Sequence, residues 1–212
     1  MRDSIYVLLQ SIYPEHESHV VRNGINELWQ KYSSNHGQAG SSLSEKDVVL
    51  ITYGDQVYDN ENSGKLSTLR HFLTRHLNDI VTIIHILPFY PYSSDDGFSV
   101  QDFYTVRNDL GDWDDIHNFS NSFDLMFDAV INHMSSESEW FNGYVSDNKN
   151  YDNYFIDGSN FRHLEKVVRP RTSPLTHDFG EKNVWTTFSR DQIDLNYANS
   201  KVLIQMLSLI HI

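Results

Sequence analysis

Chemistry is most legible in one hexapeptide, Asp128-Ala-Val-Ile-Asn-His133, which follows the apolar run Phe123-Asp-Leu-Met-Phe127. Side chains alternate along a strand. A strand over about 124–131 leading into the hexapeptide therefore sets Asp128, Val130 and Asn132 on one face and Ala129, Ile131 and His133 on the other. A carboxylate inside an apolar strand, with Asn-His where the strand meets solvent, has the makings of a binding site. Asp128 also admits a structural role, as a carboxylate satisfied within its own strand. A metal hydrolase built on His85, Asp128 and His133 is disfavoured. That register parts Asp128 from His133, and no His-x-His or His-Glu-x-x-His spacing occurs in the chain. His85, on the strand that ends at Pro88, reads as packing.

The elements that must position these residues follow from apolar periodicity. Val21, Ile25, Leu28, Trp29 and Tyr32 predict an amphipathic helix over 16–34, followed by a Ser/Gly/Asn-rich loop over 33–44. Val48-Val-Leu-Ile-Thr-Tyr53 reads as a buried strand ending at Gly54-Asp55. Leu66, Leu69, Leu73 and Leu77 form one helical stripe, and Ile80 to Leu87 is a second buried strand stopped by Pro88. Asp112, with Asp115 three residues on, is placed to cap a short helix beginning at Trp113. The third strand is the one before the hexapeptide. Near-continuous apolar strands alternating with helices indicate parallel β/α units, an α/β fold. Residues 134–197 break the rhythm and read as a long excursion after strand three. Val202, Leu203, Met206, Leu207 and Ile210 then mark a helix running to the last residues.

Composition excludes several classes. The net charge of −13, from 16 Lys and Arg against 29 Asp and Glu, argues against nucleic acid, which needs basic surface. There is no Cys, hence no disulfide or thiolate metal site, which suits a reducing cytoplasm. The N-terminus lacks the apolar core and cleavage site of a signal peptide, and no run approaches the roughly 18 apolar residues of a membrane span. The 12 Tyr, 12 Phe and 4 Trp are abundant, many near Gly, Asp and Asn, as in Pro88-Phe-Tyr-Pro-Tyr92. Aromatic faces beside clustered hydrogen-bonding groups suit sugars, although most such rings fill cores. Three β/α units cannot close an eight-stranded barrel, which takes roughly 250 residues. The expectation is therefore the N-terminal part of a longer, incomplete barrel, with segments 1–46 (helical extension and linker), 47–133 (units 1–3), 134–197 (inserted subdomain) and 198–212 (truncated helix).

In order, the chain presents Thr52-Tyr-Gly-Asp55, His85-Ile-Leu-Pro-Phe89, Asp95-Asp-Gly-Phe-Ser-Val-Gln-Asp-Phe-Tyr104, Leu110-Gly-Asp-Trp-Asp-Asp115, Asp128-Ala-Val-Ile-Asn-His133 and Gln192-Ile-Asp-Leu-Asn196. Over about residues 47–207 this resembles glycoside hydrolase family 13, the α-amylase superfamily. Within it, the likeness is to the branch of sucrose and glucosylglycerate phosphorylases. The resemblance implies a (β/α)8 TIM barrel with a small subdomain after strand three. It implies that Asp95 grips glucosyl hydroxyls, Phe98 stacks on the sugar's apolar face and His133 bonds its primary hydroxyl, with Asn132 and Asp128 as structural companions. The Asp95-Asp96 doublet leaves that register open by one residue.

Arg169-Pro-Arg171, with Leu175-Thr-His177, is similar to the family's mobile loop whose arginine approaches phosphate. A guanidinium fork suits that anion, yet the same loop can be braced by ion pairs. The resemblance implies no metal or other cofactor, a sugar and inorganic phosphate as partners, and leaves oligomeric state open. The two carboxylates of retaining glycoside chemistry, and the family's third acidic residue, fall beyond residue 212. Hence no catalytic residue is expected in this chain, which is expected to be inactive alone. Two rivals remain: an α-glucosidase or sucrose hydrolase of the same family, favoured by the likeness of Gln192-Ile-Asp-Leu-Asn196 to oligo-1,6-glucosidases, and a non-catalytic carbohydrate-binding relative.

Overall fold

The computed structural model describes residues 2–32, 43–60, 64–159, 161–169 and 171–209. Most of the predicted 33–44 loop and the last three residues lie outside them. In chain order the elements are α1 (Arg2–Ile12), α2 (Glu15–Tyr32), β1 (Val49–Thr52), α3 (Lys65–His76), β2 (Ile83–Ile86), α4 (Trp113–Phe119), β3 (Asp124–Phe127), β4 (His133–Ser135), α5 (Glu139–Val145), β5 (Thr176–Phe179), β6 (Lys182–Trp185), β7 (Gln192–Asp194) and α6 (Ser200–Leu209). They fall into two compact units, Ser41–Val130 and Met1–Gly40 with Ile131–Ile212.

In the Ser41–Val130 unit, β1, β2 and β3 form a parallel sheet in that order, with Ile51, His85 and Met126 in one lateral row. Parallel strands need crossovers, and α3 and α4 supply them. One face, with Leu50, Ile84, Ile86 and Leu125, packs on Leu66, Leu69, Leu73, Ile116 and Phe119 from those helices. Alternation sends Ile51, His85 and Met126 to the opposite face, where Ile51 is 60% exposed. Helix α4 starts at the predicted reciprocal cap: the Asp112 carboxylate accepts the Asp115 N–H at 3.0 Å, and Asp115 accepts the Asp112 N–H at 3.2 Å.

Two expectations fail here: β1, read as a buried strand, leaves Val49 43% and Ile51 60% exposed, and strand three is shorter than read. The third strand is four residues long and ends at Phe127, so residues 128–132 do not continue its alternation. The cause is the neighbour: Phe127 pairs with Ile86, the last residue of β2, and past that point the ladder has no partner.

In the other unit, α1, α2 and α6 enclose Leu9, Tyr13 and Val21, with Ile25, Leu203 and Ile204 against them. Gly24 on α2 permits this approach, since a Cβ there would stand 2.8 Å from Cδ1 of Ile204. The Tyr13 hydroxyl donates to the Tyr197 carbonyl at 2.7 Å, and the Tyr197 hydroxyl donates to the Ile131 carbonyl at 2.6 Å. Burial, with Tyr13 beside it, pushes the Tyr197 phenol up to about 12. The 134–197 excursion holds structure of its own. Strands β4 and β7 pair antiparallel at its two ends, β5 and β6 form a hairpin, and Phe141 on α5 meets Phe155 and Phe179 edge-on. Among the described residues no helix is long and apolar enough to cross a membrane.

Candidate functional site

All three strands of a parallel sheet end on the same edge, which is where α/β proteins gather ligand-binding groups. At that edge of the Ser41–Val130 unit, Nε2 of His85 lies 2.9 Å from Oδ2 of Asp128. His85 is thus the side-chain partner of Asp128, a role the packing expectation did not foresee. Tyr53, just past β1, has its phenol held above the ordinary tyrosine value. Burial is the largest cause, followed by the negative charges of Asp96 and Asp128 and by Tyr92 and Asp95. Tyr53, Tyr92, Asp95, Asp96 and Asp128 therefore share one electrostatic neighbourhood.

The loop after β2 is built tightly. Tyr92 bridges Val100, the Ser93 N–H donates to the Ser99 carbonyl at 3.1 Å, and the Gln101 N–H donates to the Pro91 carbonyl at 2.8 Å. At its tip Asp95, Asp96 and Gly97 take φ of 56°, 51° and 106° in succession. Consecutive left-handed residues are costly for side chains with a Cβ, though Asp bears it better than most. Held strain of this kind is found at functional sites. Asp95 and Asp96 are exposed and Phe98 is half-buried, its N–H donating to the Asp95 carbonyl at 3.0 Å.

Arg107 steadies the base of this loop. Its guanidinium donates to Asp55 at 2.9 Å and to Asp109 at 2.5 Å, and lies 5.3 Å over the Tyr92 ring. For Asp109, burial works against the charge, but hydrogen bonds from Lys65 and Arg107 outweigh it and lower its pKa.

In the other unit, His133 opens β4 directly opposite Asp194 of β7. Its Nε2 lies 3.1 Å from the Gln192 amide nitrogen, and its ring meets Phe188 at 5.1 Å. The Asn132 amide reaches Asp194 at 3.3 Å, and Asp194 also accepts the Thr187 N–H at 2.8 Å and its hydroxyl at 2.6 Å. Arg169 donates to the carbonyls of Thr187, at 3.0 Å, and Ser173, and to the Ser173 hydroxyl at 3.4 Å; none of these is a carboxylate. Arg171 is exposed. His177 accepts or donates with the Thr186 hydroxyl at 2.8 Å, and burial, then Arg190 and Arg169, lower its pKa. Among the described residues no three His, Asp or Glu side chains cluster closely enough to hold a metal ion.

Sequence reasoning named Asp95, Phe98, Asp128, Asn132, His133, Arg169 and Arg171; it read His85 as packing and did not single out Tyr53, Tyr92 or Gln192, which the structure places beside some of them.

Residues 59–212 match the alpha-amylase catalytic-domain model. The chain belongs to the α-amylase family. Over 171 residues it is 47% identical to the glucosylglycerate phosphorylase of Spirochaeta thermophila, covering 79% of this chain and 29% of that protein. Over 211 residues it is 43% identical to the glucosylglycerate phosphorylase of Allomeiothermus silvanus, covering 98% of this chain and 37% of the relative. Among solved structures it is similar to the sucrose 6F-phosphate phosphorylase of Thermoanaerobacter thermosaccharolyticum, with a TM-score of 0.69 and 30% identity, over 82% of this chain and 38% of that one. The chain spans about a third of the length of the relatives it matches.

Proposed function

We propose that this chain is the N-terminal, glucosyl-binding portion of a retaining sugar phosphorylase. Such an enzyme transfers a glucosyl group from an α-glucoside to inorganic phosphate and releases α-glucose 1-phosphate. In this reading β1–β3 are the first three strands of a (β/α)8 barrel, residues 134–197 are the inserted subdomain, and residues 1–46 are a helical extension and linker. Asp95 and Phe98 contact the glucosyl unit from the loop after β2; Asn132 and His133, at the start of β4, carry the sugar-binding roles that the family resemblance assigns to them. Arg169 and Arg171 belong to the loop that meets phosphate, with Arg171 as the exposed guanidinium. The partners are a small sugar and phosphate, in the cytoplasm, without nucleic acid, membrane or metal.

The observation that carries the reading is the strand-end cluster of Tyr53, Tyr92, Asp95, Asp96 and the His85–Asp128 pair. Clustered acceptors beside aromatic faces are what a sugar ring asks of a protein. The phosphorylase names of the relatives support the reaction class.

Retaining transfer needs a nucleophilic carboxylate and an acid/base partner about 5 Å from it. This reading puts both outside the chain, so the 212 residues alone are inactive. The test uses glucosylglycerate and phosphate. The chain alone is expected to form no glucose 1-phosphate, whereas a protein of the relatives' length that begins with this sequence forms it only when phosphate is added. Product from the chain alone sinks the division of labour. Free glucose released without phosphate by the longer protein sinks phosphorolysis in favour of hydrolysis.

A further inference from the structure

The helical pair α1–α2 carries no chemical motif, yet two of its hydrogen bonds lead to one place, the turn between β7 and α6. The Tyr13 hydroxyl, from between the two helices, donates to the Tyr197 carbonyl at 2.7 Å. The Ser200 hydroxyl, at the start of α6, donates to the Glu17 carboxylate at 3.2 Å. From the same turn, two donors reach successive carbonyls just ahead of β4. The Tyr197 hydroxyl donates to the Ile131 carbonyl at 2.6 Å, and the Leu195 N–H donates to the Asn132 carbonyl at 2.9 Å. Tyr197 thus accepts one phenol from the extension and gives its own to the residue before Asn132. Burial raises both phenols above their ordinary value, Tyr197 to about 12, with Glu17 adding to the rise at Tyr13 and Tyr13 at Tyr197. Both therefore remain protonated donors in neutral solution.

We propose that Tyr13 and Tyr197 are positioning residues, two phenols in series through which the helical extension fixes the backbone that carries Asn132 and His133. The planarity of the peptide unit makes this effective. A held Ile131 carbonyl also orients the Asn132 N–H and Cα, and a held Asn132 carbonyl does the same for His133. Binding groups must keep within about 0.5 Å of their working geometry, so a backbone free to tilt costs affinity. The inference rests on the reading that Asn132 and His133 carry sugar-binding roles, and it gives residues outside every motif a part in them.

The test has two arms, and Tyr13→Phe and Tyr197→Phe serve both, since each removes one hydroxyl and keeps the ring. In the isotope-labelled chain both variants are expected to shift the Ile131 carbonyl carbon and the Asn132 and His133 amide signals. The second arm uses the longer protein with glucosylglycerate and phosphate. Tyr197→Phe is expected to raise KM for the glucoside about fivefold, the scale of one hydrogen bond, with kcat within about twofold of wild type. Tyr13→Phe is expected to raise KM about twofold alone and to add nothing once Tyr197→Phe is present, because it acts through Tyr197. Ties that only stabilise the fold lower Tm and leave KM alone. Amide signals unmoved in both variants overturn the proposal, and so does an unchanged KM or a KM effect that adds in the double variant. A wild-type longer protein that forms no glucose 1-phosphate sinks the reading of the site instead, and the amide signals alone then decide the positioning.

Discussion

Asp194→Ala is expected to lower the stability of the chain by about 3 kcal/mol, seen as a fall in Tm of about 6–12 °C for a protein of this size. Asp194 is 5% exposed and accepts the Thr187 N–H and hydroxyl and the Asn132 amide. Alanine leaves these donors facing a void. Each orphaned donor costs about 1–3 kcal/mol, reduced here because Thr187 is only half-buried. Asp194→Asn is the control. It keeps the shape but turns an N–H toward Thr187, and about half the loss is expected. Denaturant unfolding of the three proteins decides the matter. A loss below 0.5 kcal/mol in the alanine variant, the scale of an ordinary surface change, contradicts the geometry. Because His133 faces Asp194 across the β4–β7 ladder, the same variant is also expected to bind glucose less well.

Gly97→Ala is expected to cost about 2 kcal/mol and to disturb the Asp95 turn. Gly97 has φ of 106°, and a Cβ on it would stand 2.8 Å from the Pro88 carbonyl oxygen. The first effect strains the residue itself. The second is a collision with backbone, which no rotamer change relieves. Since Pro88 starts the loop and Gly97 lies near its tip, the collision pushes the tip that carries Asp95 and Phe98 away from Pro88. The readouts are Tm, expected to fall by about 4–8 °C, and the glucose response, expected to vanish. An alanine variant with unchanged stability and unchanged glucose binding shows that the turn is not built as described.

What the sequence could show was what depends on near neighbours. The Asp112–Asp115 cap is a three-residue relation and stands as read. The Leu66, Leu69 and Leu73 stripe reports its own helix face, and all three are buried. Strand three shows the limit. Phe123 to Ile131 has the composition of a longer strand, but β2 stops at Ile86 and takes β3 with it, because strand length depends on the partner. The polar partner of His85 was out of sight for a related reason. Its partner, Asp128, is 43 residues away and becomes a neighbour only through parallel pairing. The tie between Gln192 and His133 spans 59 residues and depends on the β4–β7 ladder. Helix α1 was legible only as an extension without a motif, since its apolar side chains point to no chemistry.

The account stands or falls on whether Asp95 and Phe98 take a glucosyl unit, and a glucose titration of the isotope-labelled chain asks this most directly. The prediction is a saturable shift of the Phe98 amide, lost on Asp95→Asn while the remaining spectrum stays that of a folded protein. A folded chain whose Phe98 signal ignores glucose, or whose response survives Asp95→Asn, contradicts it.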